Sequence, residues 1–76
     1  MKIELLGTGC SKCKKTEQLV REIVTENNID AEITKVTDID EIINRGVLMT
    51  PAIAVDGEIK IVGHVPSKKE IQNILQ

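Results

Sequence analysis

Two cysteines, Cys10 and Cys13, are the residues of this chain best equipped for chemistry, and they stand three positions apart as one C-x-x-C. Two thiols and the lone His64 cannot fill a four-ligand structural zinc site within one chain. A structural staple also fits poorly. Closing so short a loop stabilises the fold by about 2 kcal/mol on the chain-entropy estimate, and a reducing compartment would open it. What remains is redox or soft-metal chemistry, the usual meaning of a C-x-x-C beside a βαβ unit.

That chemistry needs a thiolate, so the element beneath the cysteines matters. From Cys13 onward Leu19, Val20, Ile23 and Val24 recur at helical spacing among Lys, Glu and Arg, and the helix is expected to end near Asn27 and Asn28. The pair therefore sits at a helix N-terminus, where backbone N–H groups and the positive end of the dipole favour an anion. Cys10, nearer the loop, is the candidate nucleophile, and Cys13, in the first turn, the thiol that resolves a mixed disulfide. Lys12, Lys14 and Lys15 lie at the same helix start, where cations oppose the dipole at roughly 0.3–1 kcal/mol each. They either tune a thiolate at Cys10 and attract an anionic or acidic partner, or are ordinary solvated surface.

The remaining elements must hold that helix. Residues 2–6 alternate as a first strand with Ile3 and Leu5 on one face, broken by Gly7, Thr8 and Gly9. Residues 31–36 read as a second strand. Asp38 and Glu41 form a capping box opening a short helix with Ile39, Ile42 and Ile43 inward, and Gly46 suits its end. Residues 51–55 and 58–62 flank Asp56-Gly57, a type I′ hairpin signal that sets Ala54 opposite Ile59 and Ala52 opposite Ile61, with Glu58 and Lys60 on the other side. Ser67 and Glu70 form a second capping box, Pro66 and Ile71 a staple, and Ile71, Ile74 and Leu75 one face of a closing helix. The expected fold is α/β in the order βαβαββα, a four-stranded mixed sheet with helices on both faces.

Composition agrees with a single domain over residues 1–76. The chain is 41% hydrophobic, with a core drawn from twelve Ile, seven Val and five Leu and no aromatic residue. A net charge of −2 and the absence of rings to stack bases argue against nucleic acid. The N-terminus is too short and too polar for a signal peptide or membrane span, which points to the cytoplasm. Pro51 is tolerated at a strand start simply because its missing N–H is not needed there, and a cis Thr50-Pro51 bond is the sharper alternative. His64 reads as a solvated loop residue and Met49 as packing.

The run Gly7-Thr8-Gly9-Cys10-Ser11-Lys12-Cys13 after a first strand, followed by residues 49–63 and a last helix, resembles the small thioredoxin-like redox-active disulfide proteins, a glutaredoxin-sized branch of the thioredoxin-fold superfamily. The likeness spans nearly the whole chain. It implies a minimal thioredoxin fold, with Cys10 as nucleophile, Cys13 as resolving thiol, Pro51 as a cis-proline facing them and Thr50 offering its backbone to a bound substrate. It also implies a protein or small-molecule disulfide as substrate and a disulfide reductase as electron donor, acting on a monomer without cofactor or bound metal. Ser11-Lys12 stands where thioredoxins typically have Gly-Pro and glutaredoxins Pro-Tyr, and no aromatic residue flanks the site. Two other functions suit a C-x-x-C chain of this size: a carrier of Cu, Zn or a metalloid, and a thioredoxin-fold interaction module whose cysteines do not turn over. Metal-carrier domains of this size run βαββαβ, so a helix before the hairpin and another at the end separate the readings.

Overall fold

Strand β1 (Lys2–Leu6) has its last four residues buried, and the rest of the molecule is arranged to bury them. The computed structural model describes residues 1–9 and 11–75. Along the chain follow helix α1 (Ser11–Glu26), strand β2 (Glu32–Val36), helix α2 (Ile39–Asn44), strands β3 (Ala52–Val55) and β4 (Glu58–Val62), and helix α3 (Lys68–Ile74). The sheet order is β2-β1-β3-β4. β1 runs parallel to β2, with Lys2 opposite Glu32 and Leu6 opposite Val36, and antiparallel to β3, with Ile3 opposite Val55 and Leu6 opposite Ala52. The βαβαββα order and the mixed four-stranded sheet are as the sequence predicts.

Alternation along the strands divides the core in two. Ile3 and Leu5 of β1 and Ile53 and Val55 of β3 pack with Val20 and Ile23 of α1 and with Ile71 and Leu75 at α3. On the opposite face Leu6, Ala52 and Ala54 meet Ile42 of α2 and Val47. Helices therefore cover both sides. Within the described residues, no helix is long and apolar enough to cross a membrane.

Three local expectations are corrected. Ile39 and Ile43 point outward and are more than half exposed, leaving Ile42 as the buried residue of α2. This helix rests on two alanines of β3, which bring it close to the sheet, and one isoleucine fills the gap. Burying it yields ~1.5–3 kcal/mol, enough to dock a helix too short to hold itself. Asp38 caps α2 by accepting from the Asp40 N–H at 2.9 Å, but Glu41 does not close a box and instead accepts from Arg45 Nε at 3.2 Å. The hairpin turns through Asp56 and Gly57, both at positive φ as a type I′ turn requires, and Ala54 faces Ile59 as expected. Beyond it a bulge shifts the register, so Ile61 opposes Ile53 and Ala52 opposes Val62. The extra residue, Lys60, puts Ile59 and Ile61 on opposite faces, one against each half of the core.

At α3 the capping box forms as read, with the Glu70 N–H donating to Ser67 Oγ at 3.2 Å and the Ser67 N–H donating to Glu70 Oε1 at 3.1 Å. Pro66 and Ile71 are both fully buried.

Glu4 was not anticipated as a core residue. It lies mid-strand on the α2 face, 5% exposed, and a sheet covered on both sides offers its carboxylate no water. Arg45, which caps α2, answers it: Nη1 donates to Oε1 at 2.9 Å and Nη2 to Oε2 at 2.6 Å. Those bonds hold the Glu4 carboxyl below its usual range, against the opposing effect of burial. A carboxyl depressed by folding stabilises the fold above its unfolded titration range, and that contribution is lost as pH falls through the folded value. We expect Arg45→Met to lower the melting temperature by several degrees at neutral pH, with the gap to the parent closing in acid as Glu4 protonates. Circular-dichroism melts across that range test this, and a gap independent of pH would assign the loss to packing alone.

Candidate active site

The C-terminal end of β1 leads directly into the C-x-x-C. Gly7, buried, follows the strand and donates its N–H to Val36 O at 3.0 Å, extending the ladder by one step. A Cβ built on Gly7 would overlap Cys13 Sγ and stand 3.1 Å from Cys13 Cβ. The backbone of Gly7 is outside the left-handed region, so space and not conformation calls for glycine here. Thr50 Cβ lies 3.9 Å from the same point. One backbone position thus separates the Cys13 sulfur from the residue preceding Pro51.

Cys13 is half-buried in the first turn of α1, and Cys10 lies outside the described residues. The Thr50-Pro51 peptide is cis. Pro51, fully buried, accepts at its carbonyl from the Gly63 N–H at 2.9 Å. Cys13 and Pro51 line one pocket of about 70 Å³, together with Gly7, Gly9, Lys14 and Thr16. Glu17 and Lys35 stand on the same wall. The Glu17 carboxylate accepts from Arg21 Nε at 2.9 Å and pairs with Lys35 Nζ at 3.3 Å. These contacts, the Arg21 hydrogen bond above all, hold Glu17 below the usual carboxylate range.

Of the three lysines, one reaches the pocket. Lys14 lines the pocket, whereas Lys12 and Lys15 are exposed on α1 and contribute nothing to its wall. Lys12 O accepts from the buried Thr16 Oγ1 at 2.9 Å, which bonds the first turn to the second. Within the described residues no three His, Cys, Asp or Glu side chains come together as a metal cage.

Two residues read as bystanders take on more definite places. Met49 is 62% exposed and is not a gap filler: it lies over Gly63, where a built Cβ would be 3.3 Å from Met49 Cβ. His64 is exposed, as expected, but Nε2 lies 3.1 Å from Glu70 Oε2 and Nδ1 lies 3.3 Å from Val62 O. The Glu70 partner raises the His64 pKa and is itself lowered. Glu70 thus serves the α3 cap with one oxygen and the loop after β4 with the other.

Gly7 and the Glu17–Lys35 pair are the site features that residue types did not reveal. Gly7 had a signal only as a strand break, and its role depends on a contact six residues away in sequence. The pair joins α1 to β2, and no local spacing announces it.

A family model for the thioredoxin domain matches residues 1–76. The chain is 49% identical over 75 residues to a protein named thioredoxin from Methanothermobacter thermautotrophicus, covering 99% of this chain and 97% of that one. It is 46% identical over 74 residues to a second protein of that name from Methanocaldococcus jannaschii, covering 97% and 85%.

The tight space at Gly7 predicts that Gly7→Ala displaces the Cys13 sulfur. Misplacing a reacting atom by about 1 Å costs on the order of a hundredfold in rate. We expect the single-turnover oxidation of the reduced variant by a small disulfide to slow by at least tenfold on that scale, with its circular dichroism unchanged. A rate equal to the parent's would remove Gly7 from the site.

Proposed function

This chain belongs to the thioredoxin family of oxidoreductases, and from that premise we propose that it exchanges its own dithiol for a substrate disulfide. Cys10 attacks as the thiolate. It forms a mixed disulfide with one substrate sulfur while the substrate S–S bond breaks, and the departing sulfur takes up a proton. Cys13 then loses its proton and attacks the Cys10 sulfur, releasing the second substrate thiol. The substrate disulfide gains two electrons and two protons as the dithiol closes to a disulfide, and a disulfide reductase restores the dithiol. The sulfurs are themselves the redox group, so no cofactor is required.

The observation that most supports this reading is the position of Cys13, its sulfur set over Gly7 in the first turn of α1 and sharing a pocket with Pro51. That setting suits attack from within on the mixed disulfide formed by Cys10. Thr50, beside Pro51, is then the residue whose backbone meets an extended substrate, and Lys12, Lys14 and Lys15 favour the anion at Cys10. The soft-metal alternative is disfavoured by element order, because α2 precedes the hairpin and α3 closes the chain. The reading places a single domain over residues 1–76, monomeric, in the cytoplasm.

We expect Cys10→Ser to abolish disulfide reduction. Cys13→Ser should stall as a covalent mixed disulfide, visible as a mass increase removed by dithiothreitol, and partners trapped this way identify substrate and reductase. Parent-level reduction by Cys10→Ser would overturn the assignment of roles.

A further inference from the structure

Half of the Lys and Arg side chains, all among the described residues, are held in ion pairs. Arg21 and Lys35 share Glu17, Arg45 bridges Glu4 and Glu41, Lys60 meets Glu58, and Lys68 reaches Glu22 and Glu26. With twelve carboxylates to ten cations, the chain has no shortage of counter-ions. Yet Lys12, Lys14 and Lys15 form no ion pair within the described residues, and all three are exposed. The first turn of α1 also holds no acidic residue, although a helix N-terminus is where acids are favoured. Lys2 and Lys69 are likewise unpaired, but they lie apart from one another, at the start of β1 and in α3. Among the described residues, uncompensated cations gather only at the start of α1.

Pro51, which shares the pocket wall with Lys14, is preceded by an exposed apolar pair. Leu48 is 85% and Met49 62% exposed, immediately before Thr50 and Pro51, and Met49 lies over Gly63, whose N–H bonds to Pro51. An apolar centre with charge at its margin is the usual composition of a transient protein contact, and a margin of one sign selects a partner of the other. We infer that the disulfide substrate of this site is a protein segment whose flanking residues are acidic. This rests on the exchange reading above and names the substrate class for it. The lysines act before any bond changes, drawing the acidic segment toward Cys10 and Cys13 and fixing which way it lies.

The test is single-turnover reduction of three peptides by the prereduced protein, each with the same central disulfide, flanked by Glu, by Gln or by Lys. In low salt we expect the Glu peptide to react about tenfold faster than the Gln peptide, the lower end of electrostatic steering, and the Lys peptide slowest. The advantage should shrink as salt brings the screening length to about 10 Å. In the triple variant Lys12→Gln, Lys14→Gln, Lys15→Gln the ratio should collapse toward one, and in the corresponding triple Glu variant it should invert. Because each variant is compared with itself across peptides, altered thiol reactivity cancels from the ratio. Reduction of all three peptides at equal rates overturns the acidic substrate, a preference that survives the triple substitution overturns the lysines as its cause, and either result leaves the exchange reading standing. Failure to reduce any peptide overturns the exchange reading and the inference with it.

Discussion

Strand β1 is hydrogen-bonded along both edges and packed on both faces, and it has no freedom to slide. That confinement is what the site depends on. A sulfur can be held against a backbone position only if the backbone does not move, and Gly7, one residue past the strand and still bonded to Val36, inherits the rigidity of the sheet. α1 then delivers Cys13 from the other side, anchored by Val20 and Ile23 in the larger half of the core. Precision at the sulfur is a property of the sheet centre as much as of the loop that carries it.

The same confinement creates the molecule's most demanding electrostatic problem. A glutamate buried in a central strand must be neutralised or paired, and the two hydrogen bonds from Arg45 do the second. Since Arg45 ends α2, the pair also fixes where that helix finishes, just before Gly46 turns the chain at positive φ toward Val47. α2 is thus held by one apolar contact and one ion pair. The segment from Val47 to Pro51 starts from that anchored end.

Local signals carried the elements and their order, because strand alternation, helical spacing, the Asp56-Gly57 turn and the Ser67–Glu70 cap are each written within a few residues. What escaped them depends on distant partners. The alternation of β1 correctly sets Glu4 opposite Ile3 and Leu5, but a polar residue there suggests solvent, and only the arrival of α2 makes that face interior. The bulge at Lys60 is invisible in a hairpin whose turn prescribes a simple register. It arises because each half of the core draws one isoleucine from β4. Ile39 and Ile43 mislead in the opposite direction, apolar by type yet exposed, since two alanines beneath α2 leave room for Ile42 alone. At the site, the spacing of the cysteines was legible from their types, whereas the need for glycine at position 7 appears only when the sulfur is in place.

The bulge in β4 also shapes how one molecule of this protein meets another. β4 is an outer strand of the sheet, and a regular outer strand presents an evenly spaced row of donors and acceptors on which a second chain can build. The extra residue interrupts that row midway and twists it, and the residue inserted is a lysine paired with Glu58. A chain so rich in isoleucine and valine, traits that favour cross-β stacking, thereby carries a charged irregularity at one of its two sheet edges.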